Sequence, residues 1–290
     1  MIGYEILQRS VDFIEAHLLD NITYLDAANH VNMSPYEFHR TFRFISGITP
    51  GTYIRNRRLS LAGQELLYTD IKVTDLAMKY WFDSADGFTK AFSRFHGITP
   101  SAVKNGGKSL AMYNPLSIRV TMEGATPIKY KMAELETVTF LVIPCSFPVD
   151  IIEDSDDHSI SDFWGQCIQN KKLDLLKSFR LKNDNRIFGL CSELKENATS
   201  FVYALAVPVQ EDFDFSKAPE GFVKWEVEKS RYVVFDCYGK DGDCITKAWE
   251  NYFQNFLPQS GLESKASPDF EIYFDNCNPD LMCELWIPVV

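Results

Sequence analysis

The sequence predicts a multidomain chain, all-helical over residues 1–107 and α+β over residues 108–290. Three observations carry this prediction. A helical segment is duplicated in the first third, a glycine-bearing break falls at Asn105-Gly106-Gly107-Lys108-Ser109, and beyond it the hydrophobic spacing shifts from helical to strand-like. At 290 residues the chain is also long enough for two cores, since a single core stops growing at roughly 250 to 300 residues.

The duplication is explicit. Ser46-Gly47-Ile48-Thr49-Pro50 returns fifty residues later as His96-Gly97-Ile98-Thr99-Pro100, and Ala27, Ser34, Phe38, Arg40 and Phe42 correspond to Ala77, Ser84, Phe88, Lys90 and Phe92. Each copy reads as helix, turn, helix. In the first, Ser34 is an N-cap, Pro35 suits the first helical position, and Phe38, Phe42 and Ile45 share the buried face. Tyr36, Glu37, His39, Arg40 and Arg43 then form the exposed face, a mixture of aromatic, hydrogen-bonding and cationic groups able to reach base edges and phosphates. The second helix buries Phe88, Ala91, Phe92 and Phe95 and exposes Ala85, Asp86, Thr89, Lys90 and Arg94. Gly47 and Gly97 fall just past each helix end, where a left-handed backbone is needed. Pro50 opens a helix running to about Leu67, a strut of about 27 Å at 1.5 Å per residue. One turn of B-DNA is about 34 Å, so the two units could enter successive major grooves and a monomer could read a bipartite site.

Charge divides the same way. The net charge of −11 excludes nucleic acid only when taken as a whole: residues 1–108 hold 12 basic and 11 acidic side chains, and the remainder carries the deficit. Arg40, Arg43, Arg55, Arg57 and Arg58 follow one another with no acidic residue between, a positive stripe suited to phosphates. Helical repeats serving protein contacts alone are the alternative.

Residues 5–105 resemble the double helix-turn-helix domain of AraC-type regulators, including Gly47-Ile48-Thr49-Pro50-Gly51-Thr52-Tyr53-Ile54-Arg55-Asn56-Arg57-Arg58-Leu59 at the start of the linking helix. The resemblance implies double-stranded DNA as partner, with base-reading positions at Tyr36, His39 and Arg40 and at Ala85, Asp86 and Lys90. Two departures stand out. The family carries glycine in the turn before the second reading helix where this chain has Trp81, and Ala85 and Asp86 are poor partners for DNA, so the first unit is expected to dominate affinity.

In the second half, strands are predicted at Ser117–Met122, Thr137–Ile143, Arg186–Leu190, Ser200–Val207, Tyr232–Tyr238, Asp269–Phe274 and Cys283–Pro288, with helices at Ser161–Leu176 and Cys244–Phe256. Alternation along the last two strands sets Glu271 beside Tyr273 and Glu284 beside Trp286, a carboxylate next to an aromatic ring each time. Such a pairing suits an organic cation through ion pairing and cation–π attraction, with Tyr203 and Trp164 completing the cavity. The same residues could instead cover a solvated sheet face.

Residues 110–290 resemble the GyrI-like effector-binding domain of multidrug-responsive regulators. The resemblance rests on Tyr232-Val233-Val234-Phe235 with Gly239, Ala248-Trp249, Pro268-Asp269-Phe270-Glu271-Ile272-Tyr273 and Glu284-Leu285-Trp286-Ile287-Pro288. It implies two pseudo-symmetric βαββ halves around a groove, with the acidic ligand position at Glu271 and with Glu284 and Trp286 lining the same groove. It also implies a DNA-binding regulator that is not an enzyme and responds to a small organic effector. The alternatives are a hydrolase of reactive xenobiotics using Glu271 or Glu284 as base, and a protein-docking domain.

Other chemistry is sparse. Seven cysteines (Cys145, Cys167, Cys191, Cys237, Cys244, Cys277, Cys283) show no zinc spacing and fit a reducing cytoplasm. The acidic run from Glu153 to Asp157 lacks the pattern of a calcium loop, so neither metal nor cofactor is expected. No leader or membrane span is read, which predicts a cytoplasmic protein with no membrane partner. A monomer or weak dimer, with RNA polymerase as a further partner, completes the expectation.

Overall fold

The computed structural model describes residues 3–105, 109–118, 127–148, 159–192, 200–240, 242–265, 267–275 and 279–290. It divides into two compact units, Met1–Met122 and Glu123–Val290.

The first unit is helical: α1 Gly3–Ala16, α2 Tyr24–His30, α3 Pro35–Ser46, α4 Pro50–Tyr68, α5 Val73–Lys79, α6 Ala85–His96 and α7 Pro100–Lys104. The caps read from the sequence are made. Ser34 accepts from the Glu37 amide at 3.2 Å and Ser84 from the Gly87 amide at 3.1 Å, while Gly47 and Gly97 end α3 and α6 at φ 76° and 71°. Each helix pair has its own core. Phe38, Phe42, Tyr53 and Ile54 close the first with Leu7, Val11 and Ile14 of α1 and Leu18 just beyond it, and Phe88, Phe92, Leu59, Ala62 and Leu66 close the second with Leu76 and Tyr80. The linking helix α4 thus gives one end to each core. Trp81 keeps the turn before α6 in the left-handed conformation (φ 60°), as Asn32 does in the first copy (φ 56°). That backbone costs a non-glycine residue about 1–2 kcal/mol, offset here by the Trp81 indole donating to the Leu19 carbonyl at 2.8 Å.

The second unit is α+β: β1 Lys131–Leu135, β2 Val138–Pro148, α8 Ser159–Gln169, α9 Lys172–Lys177, β3 Arg186–Ser192, β4 Ser200–Pro208, β5 Val223–Val227, β6 Ser230–Tyr238, α10 Asp243–Asn251, α11 Leu257–Ser260, β7 Asp269–Phe274 and β8 Leu281–Val289. A π turn over Tyr252–Phe256 joins α10 to α11. The eight strands form one antiparallel sheet in the order β1-β6-β8-β7-β3-β4-β2-β5. Each half is a βαββ unit, β2 to β4 and β6 to β8, preceded by a short strand that crosses to the other half: β1 pairs with β6, and β5 with β2. The halves meet at β3 and β7, where Gly189 lies opposite Glu271 and the flanking Phe188 and Leu190 match Phe270 and Ile272. A pseudo-two-fold axis therefore passes between a glycine and a glutamate.

Six of the expected strands are present: β7 keeps the expected bounds, β2 starts one residue later and ends later, and the other four run longer at one or both ends. Of the expected strand at Ser117–Met122, Ser117 and Ile118 lie in no strand and residues 119–122 fall outside the described residues, as do the acidic run at 153–157 and the break at 106–108. The short crossing strands β1 and β5 are not anticipated from the sequence: β1 carries Lys131 on one face and Glu134 on the other, and β5 alternates Val223, Trp225 and Val227 with Lys224 and Glu226 over only five residues. Lys171 (φ 60°) splits the predicted helix at Ser161–Leu176 into α8 and α9. Among the described residues no helix is long and apolar enough to cross a membrane.

Candidate functional site

The reading face of α3 differs from expectation. Tyr36, His39 and Arg40 are buried, at 9%, 1% and 8% exposure, and Arg43 is half-buried. Their partners include one another: Arg40 lies 5.0 Å from the Tyr36 ring centroid and donates from Nη1 to its hydroxyl, and the Tyr24 ring of α2 meets His39 edge-on at 5.6 Å. A guanidinium stacks well on an aromatic face, so these groups need not stay in water. Burial and the nearby Arg43 lower the His39 pKa from 6.5 to about 4, which leaves its imidazole neutral.

The arginine stripe is also mostly structural. Arg57 forms a bidentate pair with Glu15 of α1, from Nε at 2.8 Å and Nη2 at 2.7 Å. Arg58 donates to the carbonyls of Leu18, Asp20 and Ile22, satisfying chain ends beyond α1 that have no helical acceptor role left. Arg55 remains exposed. The sequence showed the five charges but not that Glu15, some forty residues earlier, would face Arg57.

In α6 the expected face stands open. Asp86, Lys90 and Arg94 are exposed, Ala85 and Thr89 are half-buried, and the Thr89 hydroxyl turns back to the Ala85 carbonyl at 2.7 Å.

In the second unit four of the six predicted residues come together. Glu271 of β7 is 9% exposed and accepts from the Tyr203 hydroxyl at 3.1 Å; that hydroxyl accepts in turn from the Trp164 indole of α8 at 3.0 Å. The Trp164 ring packs edge-on against Tyr273 at 4.9 Å. Burial, and then the Glu271 carboxylate, raise the pKa of both Tyr203 and Tyr273 well above the usual phenol value, so both remain neutral donors. Gly189 makes this arrangement possible. A Cβ there would run into the Tyr203 hydroxyl and come within 2.5 Å of Glu271 Oε2. It also prevents a second carboxylate at the pseudo-axis, where two like charges would face each other. Sequence reading missed Gly189, although Phe188-Gly189-Leu190 against Phe270-Glu271-Ile272 carries its signal.

Glu284 and Trp286 do not join this group. Register pairs Phe270 with Trp286, Ile272 with Glu284 and Glu271 with Leu285, so Glu284 and Trp286 lie on the opposite face of the sheet from Glu271 and Tyr273. Trp286 stacks on Phe270 at 5.6 Å within the core of that face, and its indole donates to Glu284 Oε2 at 3.0 Å. Glu284 also pairs with Lys131 at 3.2 Å, which holds Asp236 at 2.7 Å. The expectation of a single groove lined by all six residues is therefore corrected: Glu284 and Trp286 lie on the other face of the sheet, packed and ion-paired there.

Comparison with known proteins covers both units. A family model described as an integron-associated effector binding protein matches residues 145–289, half of the chain, and a helix-turn-helix domain model matches residues 27–106. The HTH-type transcriptional activator AarP of Providencia stuartii is 38% identical over 96 residues, 33% of this chain and 71% of the relative. The chain spans only about a third of another helix-turn-helix relative that it matches at 37% identity. The right origin-binding protein of Escherichia coli is 26% identical over 98% of both chains. A solved structure of SAV2435 bound to tetraphenylphosphonium is 21% identical, with a TM-score of 0.46, covering 56% of this chain and 94% of that one. The named relatives are regulators or origin binders, and none of these matches is described as a hydrolase. The chain belongs to the AraC-type helix-turn-helix transcriptional regulators, with a GyrI-like effector-binding domain of the integron-associated family as its second half.

Proposed function

We propose that the chain binds promoter DNA through α3 and α6 and that a small organic cation, seated against Glu271, changes that binding. The observation that carries the effector half is the buried Glu271 carboxylate, ringed by Tyr203, Tyr273 and Trp164 and facing a residue without a side chain. A carboxylate set among aromatic rings suits a lipophilic monocation, which gains both ion pairing and ring contact there. On the DNA side, Lys90 and Arg94 stand ready for phosphates, whereas Tyr36, His39 and Arg40 must leave their present surroundings to reach base edges. Any coupling requires the effector to favour one state of the protein over another. We read the chain as a cytoplasmic monomer or weak dimer with RNA polymerase as a further partner.

Calorimetric titration with tetraphenylphosphonium, and with the neutral triphenylphosphine oxide as control, tests the site. Wild type is expected to bind the cation and Glu271→Gln to lose at least about tenfold in affinity, the scale of one charge-assisted contact. Equal binding of both compounds by both proteins would remove Glu271 from the effector site.

A further inference from the structure

Beyond α7 the chain continues along the helical unit. Residues 109–118 form neither helix nor strand, yet they pack against both helix-turn-helix cores. Leu110 joins the second core, and Tyr113, Leu116 and Ile118 join the first. At the second core, α4 approaches α6 so closely at Gly63 that a Cβ would lie 2.8 Å from the His96 ring and 3.3 Å from Leu110 Cδ1.

The backbone of this strap is satisfied by side chains. The Tyr113 amide donates to Ser60 Oγ at 2.7 Å, the Leu116 amide to the Tyr53 hydroxyl at 3.0 Å and the Ile118 amide to Gln8 Oε1 at 3.0 Å. The Tyr113 carbonyl accepts from Arg57 Nη1. Irregular backbone that leaves water must find partners, and here α1 and α4 supply four of them. Two belong to one partly buried network: Arg57 grips Glu15, and the Tyr53 hydroxyl donates to the same carboxylate at 2.6 Å while receiving the Leu116 amide. The strap therefore closes an ion-pair cluster at the junction of α1 and α4.

We propose that this strap determines the spacing of the DNA half-sites the protein accepts, by holding the two reading helices at one mutual angle. The two cores are joined by α4, which can bend and twist, and by the hydrogen bond from Trp81 to Leu19. The strap is an additional tie that spans both cores, anchored by Leu110 at one end and by Tyr113, Leu116 and Ile118 at the other. Loosening it leaves each core intact while freeing the angle between α3 and α6. Tyr53, Ser60, Leu116 and Tyr113 are thus positioning residues for specificity, with no contact to DNA required of them.

The inference rests on DNA binding by both units, and the test separates the two. Full-length wild type first selects a bipartite duplex from a random pool. Binding is then measured to that duplex, to the same duplex with two base pairs inserted between its halves, and to a single half-site, alongside Tm. In Leu116→Ala the preference for the selected spacing over the inserted one is expected to fall about tenfold, a loss comparable to one mismatched base pair, while half-site binding is unchanged. Tyr53→Phe keeps the ring in the core and removes only the hydroxyl, and is expected to lower the preference about threefold. If both duplexes weaken together in step with Tm while the preference stays at the wild-type value, the strap is merely structural and the proposal falls. If wild type selects no duplex at all, the DNA reading itself falls, and this inference with it.

Discussion

In the first helix-turn-helix copy Tyr36, His39 and Arg40 are buried, whereas in the second the corresponding Asp86 and Lys90 stand in water and Thr89 is half-exposed. The scaffold is shared: both helices begin at a serine cap, end at a left-handed glycine and bury two phenylalanines on the inner face. What differs is the outer face. An aromatic ring, an imidazole and a guanidinium can pack on one another, as Arg40 does on Tyr36, while an aspartate and a lysine lose too much hydration to follow. The same chemistry that would make α3 the better reader of bases also lets it be stored away from solvent.

The comparison can be broken most forcefully at the arginines. Arg57→Ala removes the buried partner of a half-buried Glu15 and is expected to cost about 2 kcal/mol in urea denaturation, whereas Arg94→Ala on the open helix should stay within about 0.5 kcal/mol. Equal costs would mean that the stripe around α4 is as solvated as the face of α6.

Acid sharpens it next. His39 binds its proton less tightly when folded (about 4) than when unfolded (6.5), so the unfolded state takes up a proton first as pH falls. Stability is full above pH 6.5 and declines through the window from 6.5 to 4, by at most about 3 kcal/mol. Tm measured across that window should fall less steeply in His39→Gln. Parallel profiles for the two proteins would show that the imidazole is not held neutral by burial.

The smallest expected effects are on DNA. Lys90→Ala should leave Tm unchanged and reduce the slope of log affinity against log salt by about 0.9, the release of one counterion. Arg40→Ala should change both Tm and affinity, because its side chain packs on Tyr36 in the fold and is proposed to reach DNA. An Arg40→Ala variant with wild-type Tm would show that the buried pose of α3 adds nothing to the fold.

The helical repeat was legible residue by residue, because Ser34, Pro35, Gly47 and their counterparts act over one turn of helix. The turn at Trp81 was read as a departure, and the structure keeps the left-handed backbone there, held by a hydrogen bond to Leu19 that lies 62 positions away. In the second half, alternation placed Glu271 with Tyr273 and Glu284 with Trp286 on their own strands. It also found Tyr203 and Trp164, which the fold does bring to Glu271. Joining the two strand faces into one groove failed, since nothing local reports how β7 lines up with β8.

From its sequence alone the chain declared its helical first part and α+β second part, its duplicated helical unit, its caps and the pairing of Glu271 with Tyr273 along one strand. All of these follow from periodicity and from interactions between residues a few positions apart. Only the tertiary structure decided that Arg57 belongs to Glu15, that Gly189 vacates the space Tyr203 and Glu271 share, that Glu284 faces Lys131 rather than Glu271, and that residues 109–118 lace the helices together. Those outcomes depend on strand register and on partners separated by tens of residues, where the free energy of the whole packing, and no local preference, makes the choice.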